Sequence, residues 1–157
     1  METNNMKNYQ WLKVNSKAAF APRDGAGALV FRDKMWLIGG WNPNDKTHFP
    51  LICNSEVWSS IDGAQWKLEC HAPWEARHCA GYVVHNGRMW IAGGDMNQKH
   101  YQNDVWSSAD GTNWDELPDT PWPERHAASV FVYAHALWIV AGNNMTSDVW
   151  KLHLQSG

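Results

Sequence analysis

Tryptophan recurs along this chain at fixed positions of a repeated unit, and this repeat restricts the possible folds more than any other feature. The 157 residues include 12 tryptophans. Three of them lie in similar apolar segments that run into Gly-Gly or Ala-Gly, at spacings of 54 and 48 residues: Trp36, Trp90 and Trp138. Arginine repeats with the same two spacings, at Arg23, Arg77 and Arg125. A period of this length predicts a repeat architecture, in which each unit buries its apolar face against the next.

The remaining tryptophans follow the same period. A Val-Trp pair preceded by Glu or Asp occurs once per unit, at Trp58, Trp106 and Trp150. A shared Ser-Ser-x-Asp-Gly-x-x-Trp motif ends at Trp66 and Trp114. Each repeat arginine is preceded three residues earlier by an aromatic residue, at Phe20, Trp74 and Trp122. With Trp11, which matches Trp66, eleven of the twelve tryptophans occupy repeat positions and only Trp41 does not.

Each unit has the pattern of four short antiparallel strands. In the second unit, residues 81–85 are apolar and rich in valine, and Asn86-Gly87 supplies the two positive-φ positions of a tight hairpin turn. Residues 88–92, 104–108 and 113–117 predict the other three strands, with a variable loop before the third. Sheets of this kind, with one aromatic-rich face, pack radially in a β-propeller, which is the all-β fold that the repeat predicts.

These motifs resemble the kelch repeat. An arginine precedes the first strand, an aromatic residue and Gly-Gly end the second, and Val-Trp and a later tryptophan mark the outer strands. The resemblance is to bacterial kelch-like and galactose-oxidase-like propellers, covers residues 10–154, and departs in the third unit, where Ala141-Gly142 replaces Gly-Gly. It implies a kelch-type β-propeller with three four-stranded blades per chain, in units of about 10–68, 69–117 and 118–154. We expect residues 1–9 to be poorly ordered.

Three blades do not close a ring, because propellers have about four to eight. The last unit stops after its third strand, and the missing fourth strand is matched at the other end, where Gln10-Trp11-Leu12-Lys13 resembles residues 65–68. We therefore predict a homodimer in which the N-terminal strand of each copy completes the last blade of the other, giving six blades with twofold symmetry. The alternatives are a fragment of a longer propeller, a nine-bladed trimer or an open arc.

The kelch resemblance also implies where a ligand binds. In kelch propellers, the residue after the repeat arginine and the residue after Gly-Gly line the mouth of the central channel. The first set is Asp24, His78 and His126, and the second is Trp41, Asp95 and Asn143. In a dimer each would occur twice, which makes a concave and titratable rim the default binding site.

The rim histidines allow three interpretations. His78 and His126 are candidate acid/base groups, with Asp24 or Asp95 as candidate orienting carboxylates. Two imidazoles and a carboxylate are also the ligand set of a divalent metal, although no histidine spacing supports this, and we predict no metal or cofactor. The third interpretation is that the histidines bind neighbouring loop carbonyls.

The arginines and the first long loop also leave alternatives open. The buried arginines either tie down carbonyls of the adjacent blade or grip ligand carboxylates from the pocket. The loop between the second and third strands is longest in the first unit and carries Trp41, His48 and Phe49. Trp41 is either a stacking platform for a sugar or flat ring, or folds down onto its own blade. Several amides accompany it on the rim: Asn42, Asn97, Gln98, Asn143 and Asn144.

Composition removes other classes of protein. The net charge of −3 argues against nucleic acid as a partner, and no apolar run is long enough to span a membrane. The first residues lack the apolar core of a signal peptide, from which we expect a cytoplasmic location. Three cysteines at no metal-like spacing predict neither a disulfide framework nor a zinc site, and nucleotide-binding and serine-hydrolase motifs are absent from the sequence.

Three functions remain compatible with the sequence. The first is a propeller that binds a small polar or anionic molecule, such as a sugar or an acidic peptide, at the channel mouth. The second is an enzyme of the epimerase, mutarotase or lyase type, with His78, His126, Asp95 and Asp24 as the candidate catalytic residues. The third is a structural interaction module. We expect the first of these functions, the binding of a small polar or anionic molecule.

Overall fold

The computed structural model describes residues 9–143 and 145–153, and this part of the chain is all-β. Its strands form three antiparallel sheets, an arrangement of the sandwich or propeller-like type. Sheet one contains β1 Gly27–Phe31, β2 Lys34–Ile38, β3 Glu56–Ser60 and β4 Lys67–His71. Sheet two contains β5 Gly81–His85, β6 Arg88–Asp95, β7 Tyr101–Ser108 and β8 Asp115–Leu117. Sheet three contains β9 Ser129–Tyr133, β10 Ala136–Val140 and β11 Val149–Leu152. The described residues include no helix long and apolar enough to cross a membrane.

The strand predictions for the second unit are confirmed, with differences at the ends. The first strand matches β5, and its predicted turn has φ values of 48° at Asn86 and 69° at Gly87. The second and third strands are longer than predicted, because pairing of β6 with β7 resumes beyond an irregularity and continues to Asp95 and Tyr101. The fourth strand begins two residues later than predicted, at Asp115.

Successive sheets pack face to face, with buried tryptophan side chains in the core between them. Sheets one and two share a core that includes Trp36, Trp74 and Trp114, which are 3%, 4% and 8% exposed. Sheets two and three share an equivalent core that includes Trp90 and Trp122. The repeated tryptophans are thus the side chains that join one sheet to the next, as the sequence period predicts.

The double glycines allow the backbones of neighbouring sheets to approach closely. The amide of Gly94 donates to the carbonyl oxygen of Arg125 at 2.9 Å, and the same bond joins Gly40 to Arg77. A Cβ atom at Gly93 would lie 2.6 Å from the carbonyl oxygen of Arg125, which is too close for any side chain. The glycines therefore serve the contact between sheets.

The third sheet ends at an open edge. Its strand order is β11-β10-β9, so β11 has no neighbour on one side within the described chain. In the described residues, the third sheet therefore has three strands where the other two have four. Residues 10–13 form no strand in the single chain, and Trp11 is 99% exposed. The prediction that residues 1–9 are poorly ordered falls almost entirely outside the described residues, as does the expectation for Asn144.

Candidate functional site

The six predicted rim residues come together as three pairs. Asp24 and Trp41 exchange two backbone hydrogen bonds, of 3.0 and 2.9 Å. His78 and Asp95 form the same bridge, with both bonds at 3.0 Å. In the third pair, the amide of Asn143 donates to the carbonyl of His126 at 3.1 Å, and the Asn143 side-chain oxygen accepts from the His126 amide at 3.0 Å. The three pairs occupy equivalent positions in the three sheets.

Aromatic rings form a row across these pairs. The ring centroid of His78 lies 6.1 Å from that of Trp41 and 6.1 Å from that of His126. Tyr101 stacks on the other side of His126, with centroids 4.8 Å apart and an interplanar angle of 15°. The row presents ring faces and ring nitrogens side by side.

A shallow open cavity of about 300 Å³ lies beside this row. Its lining includes three of the predicted rim residues and three neighbours: Asp24, Trp41, His78, Gly25, Cys79 and Gln98. It is thus at the place where the kelch resemblance puts a ligand. Larger cavities lie beside Leu51 and beside Arg88 in the described part of the chain, and their linings include no predicted rim residue.

The hydrogen bonds of His78 define its tautomer. Its Nδ1 atom lies 2.9 Å from the carbonyl oxygen of Asp95 and 3.4 Å from Sγ of Cys53. Because a carbonyl oxygen only accepts, Nδ1 carries the hydrogen in the neutral ring and Nε2 remains an acceptor. Burial, followed by the charge of Asp95, raises the pKa of the Cys53 thiol to about 12, so this thiol stays protonated and is no nucleophile.

The carboxylate of Asp95 binds its own loop. The residue is 4% exposed, and its carboxylate oxygens accept from the backbone amides of Asn97, Lys99 and His100. The contact that orients His78 therefore comes from the Asp95 carbonyl and not from its carboxylate. Asp24, in contrast, is exposed and lines the cavity.

The repeat arginines are held inside the sheets. Arg77 is 1% exposed and donates to the Gly93 carbonyl at 3.1 Å and to both carboxylate oxygens of Asp104. Arg23 and Arg125 make the corresponding contacts in their own sheets. Of the two alternatives the structure shows the carbonyl-binding one, with a correction: the carbonyl belongs to the arginine's own sheet, because each side chain lies across the ends of its own second and third strands.

Sequence reasoning missed the acids that neutralise these arginines, namely Glu56, Asp104 and Asp148. The signal is the acid that stands two residues before the Val-Trp tryptophan in every unit. Alternation along a strand puts both side chains on one face, and the indole NH donates to the same carboxylate at 2.6–2.8 Å in all three sheets. Guanidinium, carboxylate and indole form one repeated unit of structure.

The long first loop is pinned down, but Trp41 still borders the cavity. The backbone of Trp41 bridges to both Asp24 and Cys53, and Phe49 is fully buried under Arg23, whose guanidinium carbon lies 5.1 Å from the ring centroid. The loop is thus folded down in part, and Trp41, which is half-buried, belongs to the lining of the cavity.

Two buried ring nitrogens at the site make no hydrogen bond to the described residues. They are Nε1 of Trp41 and Nδ1 of His126. Buried polar atoms in native proteins are nearly always paired, so such atoms mark a place for water or a ligand. Among residues 9–143 and 145–153 there is no group of three side chains suited to hold a metal ion.

The comparisons with known proteins show the fold alone. No family model matches the chain, and no curated protein matches it. Among solved structures, that of YjhT superposes with a TM-score of 0.66 at 18% sequence identity. The match covers 78% of this chain and 45% of the YjhT chain, so the matched part of this chain spans less than half the length of that structure.

Proposed function

We propose that this chain is half of a six-bladed kelch-type propeller, completed by a second copy, and that its central cavity binds a small polar or anionic molecule. The three sheets support the kelch interpretation. Each has the repeat arginine, a Gly-Gly or Ala-Gly pair at the end of its second strand, and tryptophans at repeat positions.

One observation carries the binding proposal: aromatic rings and polar side chains, those of Trp41, His78, Asp24 and Gln98, line one cavity. Trp41 offers a flat apolar surface on which a sugar ring packs. The side chains of Gln98 and Asp24 offer polar partners. Such a mixture of one apolar face and a few convergent polar groups is typical of small-molecule sites.

The class of ligand depends on which charged side chains are already bound within the protein. The repeat arginines are bound to internal carboxylates, so they do not supply charge to the cavity. The cavity offers an anionic ligand neutral donors, such as the side-chain amide of Gln98, and Asp24 adds a carboxylate to the lining. Neutral or weakly acidic sugars fit this lining better than an extended acidic peptide does.

The test is calorimetric titration of the protein with a panel of hexoses, uronic acids and acidic peptides. We expect one sugar class to bind, and Trp41→Ala to weaken that binding at least tenfold because the stacking face is lost. Leu51→Ala, an exposed apolar residue of the same loop that does not line the cavity, is the control and should bind normally. Equal affinity in Trp41→Ala and the native chain would exclude this site.

The tautomer of His78 supports a second candidate, an acid/base enzyme of the epimerase, mutarotase or lyase type. The ring centroids of His78 and His126 lie 6.1 Å apart, which makes the two imidazoles candidate acid/base groups for one ligand. NMR exchange spectroscopy of a bound sugar would detect interconversion. Turnover lost in both His78→Ala and His126→Ala, with ligand affinity kept, would favour the enzyme, and binding without turnover would favour simple recognition.

A further inference from the structure

One tryptophan position of the repeat occurs in three different environments. Trp114, before the fourth strand of sheet two, is 8% exposed and lies between sheets two and one. Trp66, its equivalent in sheet one, has no preceding sheet to cover it and is half-buried. Trp11, the third equivalent, is 99% exposed. Burial of this ring therefore follows the presence of a neighbouring sheet.

The buried case shows what the ring packs against. Trp114 meets Trp74 edge to face, with centroids 4.4 Å apart, and Trp74 also lies 6.0 Å from Trp106. In sheet one Trp66 meets Phe20 in the same way, at 5.3 Å and 88°. In sheets one and two, the aromatic residue before the repeat arginine thus packs against the ring that precedes the fourth strand of the same sheet.

In sheet three this ring is missing and a cavity is present instead. Trp122 and Trp150 are the counterparts of Trp74 and Trp106. Beside them lies an apolar cavity of about 270 Å³, whose walls include Val105, Leu117, Trp122, Leu137, Ile139 and Trp150. Five of these six occupy the repeat positions of residues packed in the core around Trp114: Val57, Trp74, Met89, Ile91 and Trp106. A cavity of ~150 Å³ already admits benzene, so this one has room for an indole.

The backbone next to the cavity is also incomplete. In sheets one and two a fourth strand pairs with the third, whereas β11 has an open edge. The residues that match the fourth strand, 10–13, are exposed and unpaired in the single chain. An unpaired strand edge presents free backbone N–H and C=O groups, with which a further strand can pair.

The same chain's own Trp11 does not reach this cavity. The side-chain amide of Asn15 donates to the carbonyl of Ala64 at 2.7 Å, which fixes this segment to sheet one. Packed sheets lie ~10 Å apart, so sheet three is ~20 Å from sheet one. Four residues of extended chain span ~14 Å at most. In a ring of two copies, however, sheet one of one copy is the neighbour of sheet three of the other.

The outer face of sheet three is a second apolar surface without cover. Tyr133 is 68% exposed and Phe131 43% exposed, and Trp138 is only half-buried. Their counterparts in sheet one, Phe31, Leu29 and Trp36, pack against sheet two. In that ring this face meets sheet one of the second copy.

We propose that Trp11 of a second copy of this chain occupies the cavity beside Trp122, while residues 10–13 add the fourth strand to β11. This inference rests on the two-copy propeller proposed above and names the segment that closes it. Each copy gives and receives one strand, and two copies of three sheets make up the six blades of the proposed ring.

The first test is the native mass of the full chain by light scattering behind size-exclusion chromatography. We expect twice 17.9 kDa for the native chain and 17.9 kDa for Trp11→Ala at the same concentration, with the dissociation constant raised at least a hundredfold, since buried aromatic anchors dominate such interfaces. Trp11 is exposed in the single chain, so the variant should still fold. Leu51→Ala is the matched control. A monomeric native chain, or a Trp11→Ala dimer of unchanged affinity, would overturn the proposal.

A second test uses free indole as the probe. Trp11→Gly leaves the strand intact but the cavity empty, so millimolar indole should restore the dimer, and it should have no such effect on Leu51→Ala or on a Trp122→Ala variant. Failure of indole to act on Trp11→Gly would count against the cavity as the binding place. Sugar binding is measured separately, by calorimetry of Trp41→Ala and the native chain. Failure of the dimer proposal and failure of the ligand proposal therefore give different results: a monomer that binds sugar, or a dimer that does not.

Discussion

At the scale of single residues, the three buried arginines hold the most demanding interactions in the molecule. Each guanidinium is shared between a carbonyl at the end of its second strand and an acid on its third. A buried charge is tolerated only while its partner is present, because desolvation of an unpaired ion costs several kcal/mol. The structural role of these arginines is therefore testable through their acids.

We predict that Asp104→Asn destabilises the fold by about 3 kcal/mol, because Arg77 is then buried beside a neutral amide. The control is Asp115→Asn, which removes the exposed Arg88–Asp115 pair and should cost less than about 1 kcal/mol. Urea unfolding followed by circular dichroism measures both. Equal costs for the two variants would mean that burial of Arg77 contributes nothing.

Asp148 makes stability dependent on acid pH. Hydrogen bonds from Arg125, then from Trp150 and Thr146, hold the pKa of this carboxyl well below its usual value of 3.8. A group whose folded pKa is lowered stabilises the fold above its unfolded pKa and loses that contribution as pH falls toward the folded pKa. We therefore predict that stability declines below pH ~4, and that Asp148→Asn flattens this decline. Urea midpoints measured from pH 6 to pH 2 would show it, and a parallel decline in the variant would contradict it.

At the scale of elements, the double glycines set how closely two sheets approach. Gly93 has φ 62° and faces the Arg125 carbonyl, whereas Gly87 has φ 69° and open space around it. Gly87→Ala should therefore lower the free energy of unfolding by only ~1 kcal/mol, because alanine is strained in the left-handed backbone conformation. Gly93→Ala should cost at least ~1 kcal/mol more, because the new methyl meets backbone. Chemical denaturation of the two variants compares them, and equal losses would contradict the close approach.

Much of the element level follows from the repeat alone. The tryptophan period predicts four strands per unit, and β5 with its turn lies where expected. The rim pairs follow from positions next to the repeat arginine and the glycines. The loop 96–100 does not, because its hydrogen bonds to the Asp95 carboxylate have no counterpart in the other units. Tyr101 was missed for the same reason: loop length, and not the repeat, places its ring on His126.

At the scale of the whole molecule, the third unit departs from the repeat at its glycine pair. Ala141 stands where the other sheets have glycine and adopts φ 55°. In those sheets a Cβ would lie 2.6 Å from the carbonyl of the next arginine. In a two-copy ring the next arginine is Arg23 of the other copy, so the Ala141 methyl holds this junction wider than the two junctions within the chain.

Ala141→Gly should therefore tighten the dimer, lowering its dissociation constant about three- to tenfold, because both the methyl and the backbone strain are removed. Ala134→Gly is the control: its φ of 48° is relieved equally, but it lies in a hairpin turn. It should stabilise the fold and leave association unchanged. Analytical ultracentrifugation over a dilution series measures both constants, and an unaltered constant for Ala141→Gly would contradict the assembly geometry.

In the proposed dimer, the open edge of β11 would link protein concentration to the protection of individual amides from solvent. A strand completed only from outside exchanges its amide hydrogens by dissociation of the complex as well as by local opening. Amides of residues 149–152 should therefore exchange with deuterium faster on dilution, while those of β6, central in its sheet, keep a constant rate. Sheet three would report the state of association, and sheet two the stability of the fold.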